Sequence, residues 1–448
     1  MRIRWWLLAG LCCGLTAQTL EVSPNRRYLQ TSDGKPFFWL GDTAWLLFQN
    51  ASKEETTRYL DDRKRKGFNV VQVMVLRSAG DTTTDGIPAL INEDPANPRL
   101  DGYWDHAAWV IDQARERGIH MALVCSWGSM VKGKKVNASN VESYTRFLVE
   151  RFGLKPNIIW ITGGDIQGDV GGDVWRTMAQ TLRKLDKKHL ITFHPFGRTQ
   201  SSTWFHKEPW LDFNMFQSGH RRYDQDKTPG AKGEDNWRYV QEDYALTPIK
   251  PTLDGEPSYE NLPQGLHDPK EPYWNAADVR RYAWWSVFAG ACGHTYGENA
   301  VIQMHKPGRK GSYGVRTFWY EALDAPGAQQ MQHLKSLMLS RPYFERIPDQ
   351  SLIAAGDGPK YDHVSATRGR DYALVYSWTG RNFSLNMGRI SGKAVRAAWY
   401  DPRTGTRREI GTFQNTGKLE FDPPGEPAPG NDWALILDDA STAAKDKP

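Results

Sequence analysis

The chain has 448 residues, of which 39 % are hydrophobic and 24 % charged, with a formal net charge of +5. That composition buries a real core and excludes a disordered or membrane-embedded chain. The length exceeds one ordinary domain but suits a (β/α)8 barrel, which takes about 250 residues, with a smaller companion.

In chain order, Met1 to Arg4 carry two arginines and Trp5 to Leu15 form an apolar run ending at Leu15-Thr16-Ala17, the pattern of a signal peptide over residues 1–18. The run is shorter than the about 20 residues that cross a bilayer, so export to the periplasm or exterior is expected, with no membrane span. Cys12-Cys13 raises a lipoprotein alternative, but Leu8-Ala9-Gly10 is followed by Leu11 rather than by cysteine. Cleavage removes Arg2 and Arg4, lowers the charge from +5 to +3, and leaves only Cys125 and Cys292, too few for a disulfide framework.

Apolar, β-rich runs then alternate with helical segments, the signature of parallel βα units. Candidate strands are Phe37 to Leu40, Asn69 to Val75, His120 to Cys125, Ile158 to Ile161, Leu190 to Phe193, Phe213 to Phe216, Ile249 to Leu253 and Gly290 to Gly293. Between them, Ser52 and Glu55 form a capping box before a helix ending at Gly67, and Trp104 to Arg117 is stopped by Gly118. Further helices are expected over Val141 to Phe152, Trp175 to Leu185, Trp237 to Tyr244, Val279 to Phe288 and Ala328 to Leu339, with only the segment after the fifth strand irregular. The basic cluster Arg63-Lys64-Arg65-Lys66 ends the first helix and reads as a solvated face, not a nucleic-acid patch.

Eight such units favour a closed (β/α)8 TIM barrel over residues 19–340, and no Gly-x-Gly-x-x-Gly follows the first strand to suggest a dinucleotide fold. From Ser340 the texture changes to short alternating strands, Tyr372 to Trp378, Val395 to Tyr400 and Trp433 to Leu437, separated by turns such as Asp401-Pro402-Arg403-Thr404-Gly405. These predict a small all-β sandwich over 341–440, packed on the barrel, and a polar tail over 441–448.

The C-terminal strand ends form a barrel's active face, so polar residues just after each apolar run are the candidates for chemistry. Asp165 follows Gly163-Gly164 at the end of the fourth strand and Glu256 follows Asp254-Gly255 at the end of the seventh, two strands that face each other. Cleaving a glycosidic bond needs two carboxyl groups, one to protonate the leaving oxygen and one to attack the anomeric carbon or activate water. The preceding glycines allow close backbone approach. Taken singly, either residue has the alternative reading of a turn residue or helix cap, and for Asp165 alone the two readings are about even. Asp42, Trp45, Trp127, His194, Gln217, His220 and Tyr296 follow other strands and are candidates to line a sugar pocket. Glu298 and His294 stand beside them in sequence, and Asp254 is placed to hold an arginine or a ring hydroxyl. Asp169 and Asp173 lie in a Gly-Asp-rich loop whose spacing does not match an EF-hand, and the histidines form no His-x-His or His-Glu-x-x-His signature. No metal and no organic cofactor is expected.

Three segments together carry a resemblance: Trp39-Leu40-Gly41-Asp42-Thr43-Ala44-Trp45, Trp160-Ile161-Thr162-Gly163-Gly164-Asp165 and Leu253-Asp254-Gly255-Glu256-Pro257-Ser258-Tyr259-Glu260. They resemble the apiosidase-like hydrolases of glycoside hydrolase family 140 from Leu20 to about Leu339. The stretch Trp399 to Gly405 resembles the collagen-binding-type sandwich that accompanies this barrel. The resemblance implies a retaining glycosidase acting on apiose-containing side chains of the pectin rhamnogalacturonan II, with Asp165 as acid/base and Glu256 as nucleophile. Its partner would be an oligo- or polysaccharide substrate. The rival readings are a non-catalytic carbohydrate-binding barrel and a matrix-interaction protein.

Overall fold

The computed structural model describes residues 18–227 and 230–442, so the expected signal peptide up to residue 17 and the expected tail from residue 443 lie outside the described residues. Eight parallel strands form a barrel: β1 (Trp39–Thr43), β2 (Val70–Met74), β3 (His120–Val124), β4 (Ile158–Ile166), β5 (Ile191–Pro195), β6 (Asn214–Gln217), β7 (Thr252–Asp254) and β8 (Gly293–Tyr296). Each is buried on both faces, which is why their sequences read as apolar runs rather than as strict alternation. The two faces are nonetheless distinct. Val71 and Val73 of β2 pack outward with Met121 and Leu123 of β3. Val70 and Met74 face inward with Ala122, Val124, Ile159 and Ile161.

Pairing runs from β1 through β5 on one side and from β1 through β8, β7 and β6 on the other. The seam between β5 and β6 closes through Asp212 N–H to the Ile191 carbonyl at 2.9 Å and the Thr192 hydroxyl to the Phe213 carbonyl at 2.7 Å. The irregular segment after β5 is a two-residue strand, Thr199–Gln200, antiparallel to β6, followed by the short helix Ser202–Phe205.

The main helices are α1 (Lys53–Arg65), α2 (Tyr103–Glu116), α3 (Val141–Phe152), α4 (Gly172–Leu185), α5 (Asn236–Tyr244), α6 (Ala276–Phe288) and α7 (Pro326–Leu339). Ser52 and Glu55 exchange the hydrogen bonds of the expected capping box before α1. The basic cluster at its end corrects the expectation by half: Lys64 and Arg65 are exposed, but Arg63 is fully buried, and Lys66 is buried with its ammonium on Asp62 and the Leu323 carbonyl. A charge run can therefore tie a helix to the core instead of facing water.

Two further differences concern strands. β8 begins three residues later than the apolar run suggested, because Gly290, at φ 120°, belongs to the turn after α6 while the polar His294-Thr295-Tyr296 pairs with β1. A small antiparallel sheet of Leu20–Val22, Leu29–Thr31 and Pro36–Phe37 precedes the barrel; it takes Phe37 from the expected first strand, and its other two strands have no counterpart among the expected elements.

The all-β part has a six-stranded sheet of β9 (Ile347–Pro348), β10 (Val364–Arg368), β11 (Tyr372–Ser377), β12 (Ala394–Tyr400), β13 (Arg407–Gln414) and β14 (Trp433–Asp439). Three strands, Ile353–Ala355, Phe383–Asn386 and Lys418–Phe421, form the second sheet. On β11 the period-two alternation serves two cores. Ala373 and Val375 face the sandwich interior, whereas Tyr372, Leu374 and Tyr376 join the cluster that includes α6 and α7. Trp284 of α6 stacks on Tyr376 with ring centres 5.0 Å apart, and buried Arg280 and Arg341 pair with Asp432 and Asp438 at 2.7 and 2.8 Å. The barrel and sandwich thus share one apolar seam bolted by two ion pairs.

Candidate active site

At the end of β4 the backbone leaves the regular ladder. Gly163 pairs with His194 and Ile166 with Pro195, so Gly164 and Asp165 form a two-residue bulge toward the C-terminal mouth of the barrel. Gly163, Gly164 and Asp165 all have positive φ, at 87°, 115° and 51°. A Cβ on Gly163 would stand 2.4 Å from the His194 carbonyl, and one on Gly164 2.6 Å from the Trp127 ring, so both positions require glycine. Asp165 itself occupies the left-handed region that aspartate tolerates better than most side chains. Its N–H donates to His194 Nδ1 at 3.2 Å. The bulge carries a short side chain forward into the cleft.

Gly164→Ala is therefore expected to disturb both Asp165 and Trp127, lowering turnover by about 10²-fold and unfolding free energy by about 2 kcal/mol. Steady-state kinetics with thermal melts check this. Unchanged turnover would mean the bulge is dispensable.

Across the mouth, Gly255 packs so closely that a Cβ would meet Met215 Sδ at 2.5 Å, and its carbonyl accepts from Gln72 Nε2 at 2.8 Å inside the barrel. Glu256 follows, largely buried and held by two imidazoles. His220 Nε2 donates to Oε1 at 3.1 Å. His194 Nε2 lies 3.1 Å from Oε2, an electrostatic contact rather than an aligned hydrogen bond. Because His194 Nδ1 accepts the Asp165 N–H, its remaining proton sits on Nε2 and faces Glu256.

Burial alone would raise the Glu256 carboxyl, but the two imidazoles outweigh it and hold the group down at about 2. Asp165 moves the other way. Although open to the cleft, it loses enough water there, and lies close enough to the Glu256 charge, to be pushed above the ordinary carboxylate value. One carboxyl is thus kept ionised and the other biased toward its acid form, the division of labour on which two-carboxylate catalysis depends.

The cleft encloses about 820 Å³ and is lined by both carboxyl groups. Trp45 and Trp127 form one wall, 5.4 Å between ring centres, with the His194 ring behind them at 5.5 and 5.8 Å. Such flat rings suit the faces of sugars. Gln217 and His220 also line the cleft, and Gln217 Oε1 has no partner among the described residues.

The catalytic-domain family described as "Apiosidase-like, catalytic domain" matches residues 23–345. The chain belongs to this apiosidase-like family. A second family, described as "Putative collagen-binding domain of a collagenase", matches residues 347–438. A solved structure described as a glycoside hydrolase is 46 % identical with a TM-score of 0.92, covering 95 % of this chain and 98 % of that one. Another, described as a glycoside hydrolase family 5 from Bacteroides vulgatus ATCC 8482, is 45 % identical with a TM-score of 0.91, covering 95 % of each chain. No curated protein matches the chain. The relatives identify the apiosidase-like chain as a glycosidase acting on glycans.

In the apiosidase-like barrel, Asp165, Glu256, Trp45, Trp127, Gln217 and His220 meet at one cleft, with His194 immediately behind. Asp42 and Tyr296 are corrections. Asp42 is fully buried, 2.7 Å from Arg63 and 2.6 Å from the Tyr59 hydroxyl, and Tyr296 donates to buried Glu260 at 2.5 Å. Asp42 is held by two side chains of α1 and Tyr296 by Glu260 of the segment after β7, so neither lines the cleft. His294 is buried between β8 and α6, its Nδ1 3.5 Å from Ser286 Oγ, and burial lowers its pKa to about 3. Glu298 caps a short helix through the N–H groups of Ala300 and Val301. Asp254 accepts from Ser218 Oγ at 2.6 Å and Asn236 Nδ2 at 3.1 Å, not from an arginine or a ring hydroxyl.

Tyr259, Arg77 and Tyr313 line the cleft and were not expected. Tyr259 follows Glu256 by three residues and lies tilted beside the His220 ring with centres 4.9 Å apart, a position its place after β7 could have suggested. Among the described residues, no group of three or more His, Cys, Asp or Glu is arranged to hold a metal ion.

Proposed function

We propose that the chain hydrolyses glycosidic bonds of pectin-type plant cell-wall glycans by double displacement, as a member of glycoside hydrolase family 140. Glu256 attacks the anomeric carbon, forming a C–O bond as the bond to the leaving oxygen breaks, and Asp165 protonates that oxygen. Asp165 then takes a proton from water, the water oxygen bonds to the same carbon, and Glu256 departs as carboxylate. The observation that carries this reading is the meeting of Asp165 and Glu256 in one cleft, with two imidazoles 3.1 Å from the Glu256 carboxylate and neither of them on the Asp165 carboxyl. Apiose as the sugar is supported by the family description, and rhamnogalacturonan II as its source by the resemblance that the three quoted segments carry. The charged start and apolar run before Ala17 support export as the site of action.

The active form has Glu256 ionised and Asp165 protonated. It is lost on acidification as Glu256 takes up a proton near about 2, and on the alkaline side as Asp165 passes its raised pKa. The test is proton NMR of the first-formed product from a panel of pectic oligosaccharides, read as a function of pH. Retention of anomeric configuration, with an alkaline limb above the free-aspartate value of 3.8, is the expected outcome. Inversion would overturn double displacement, and no release from any pectic substrate would overturn the substrate class.

A further inference from the structure

The sandwich reaches the loop that holds Glu256. Its one-turn segment Lys360–Asp362 carries Tyr361, whose hydroxyl donates to Glu234 Oε1 at 2.7 Å. The same oxygen accepts the Tyr223 N–H at 3.2 Å. Glu234 is fully buried and paired with Arg281 of α6, whose guanidinium lies 4.7 Å from the Tyr361 ring and 4.5 Å from that of Trp378.

Tyr223 is three residues beyond His220, and its ring lies 5.4 Å from that of Tyr361. The intervening loop is pinned on its other side as well. The His220 carbonyl accepts from Gly265 N–H at 2.6 Å, and Arg222 binds Gln264 and Glu271 at 2.9 and 2.7 Å. An uninterrupted chain of contacts therefore runs from a phenol on the sandwich, through a buried carboxylate, to the backbone that presents the imidazole to Glu256. Loops lack the repeating hydrogen bonds of helices and strands, so a contact they present stays in place only when the loop is held from several sides.

We infer that Tyr361 is a positioning residue, through which the sandwich sets the placement of His220 and so the alignment of Glu256. The inference rests on the proposed role of Glu256. Tyr361 is not among the residues lining the cleft. The titratable groups that face Glu256 are His194 from β5, His220 after β6, Asp165 from β4, Tyr259 after β7 and Tyr313 after β8. None of these is on the sandwich, so a change at Tyr361 reaches Glu256 through the loop that carries His220 and whose Gly219 N–H donates to the Glu256 carbonyl at 3.1 Å.

Tyr361→Phe removes the hydroxyl and keeps the ring. Tyr400→Phe is the control, because its hydroxyl crosses the same domain boundary to the His333 carbonyl at 3.0 Å, away from the loop. On a pectic oligosaccharide cut by the wild type, Tyr361→Phe should lower kcat by about tenfold with KM within about twofold. It should also move the acid limb of kcat/KM upward, and speed amide exchange over residues 219–225. Tyr400→Phe should do none of these. If Tyr361→Phe only melts earlier, with kcat, acid limb and exchange unchanged, its role is structural and the inference fails. Glu256→Gln run alongside separates the two ideas. An inactive Glu256→Gln with an unaffected Tyr361→Phe sinks the positioning role alone, while an active Glu256→Gln removes the nucleophile on which it rests.

Discussion

Glu256→Gln is expected to fold like the wild type and to lose hydrolysis by about 10⁴-fold or more. The substitution keeps volume and an oxygen for His220 Nε2 to approach, so the pocket has no reason to collapse. What disappears is the negative charge that both imidazoles stabilise, and with it the attacking atom. Mass spectrometry of a slowly turned-over substrate should find a glycosyl adduct on the peptide containing Glu256 in the wild type and none in the variant. Near-wild-type turnover would show that another group attacks. Removing the charge also removes one of the two main influences that raise the Asp165 pKa, so the surviving acid should ionise at lower pH in this variant.

Asp165→Asn should fail in a different way. Protonation matters most when the departing oxygen is a poor leaving group, so turnover of a natural glycan should fall by about 10³-fold or more. Glycosides with activated aryl leaving groups should keep a fast first step and accumulate the glycosyl intermediate, because Asn cannot deprotonate the incoming water. Azide, which needs no base, should restore turnover with those activated substrates. A loss equal across leaving groups, with no response to azide, would remove Asp165 from the acid/base role and leave it a binding residue.

Strands such as β2, β3 and β5 were legible because they are buried on two faces and so are written as apolar runs. Where the final strand instead reads His294-Thr295-Tyr296, the run ended early and the expected position slipped. The carboxyl pair was legible for a related reason: a Gly-Gly-Asp or Asp-Gly-Glu after an apolar run leaves little for the glycines to do except let a backbone turn or approach closely. Asp42 and Tyr296 satisfied the same rule of a polar residue at a strand end. Only the three-dimensional packing of Arg63 against Asp42 and of Glu260 against Tyr296 tells them from cleft residues. Arg77 and Tyr313 could not have been named in advance, because loops carry no periodicity from which a facing direction can be read. The link from Tyr361 to Glu234 spans 127 positions and joins two domains, which leaves no local trace at all.

The sandwich sheet also bears on when the molecule can be completed. β14, the last strand of the described chain, does not sit at an edge but between β11 and β12. It also brings Asp438 to Arg341, and the residue just before it, Asp432, to Arg280, 152 positions upstream. Until those late residues emerge, two arginines beside the apolar seam have no counter-charge and β11 has an unpaired edge. A ribosome delivers the barrel well before the strand that seals its flank, so a nascent barrel of this design stays unfinished and sticky. Closure of the barrel's flank is thereby deferred until the strands of the sandwich have been made, so the order of synthesis runs opposite to the order in which the seam could be sealed.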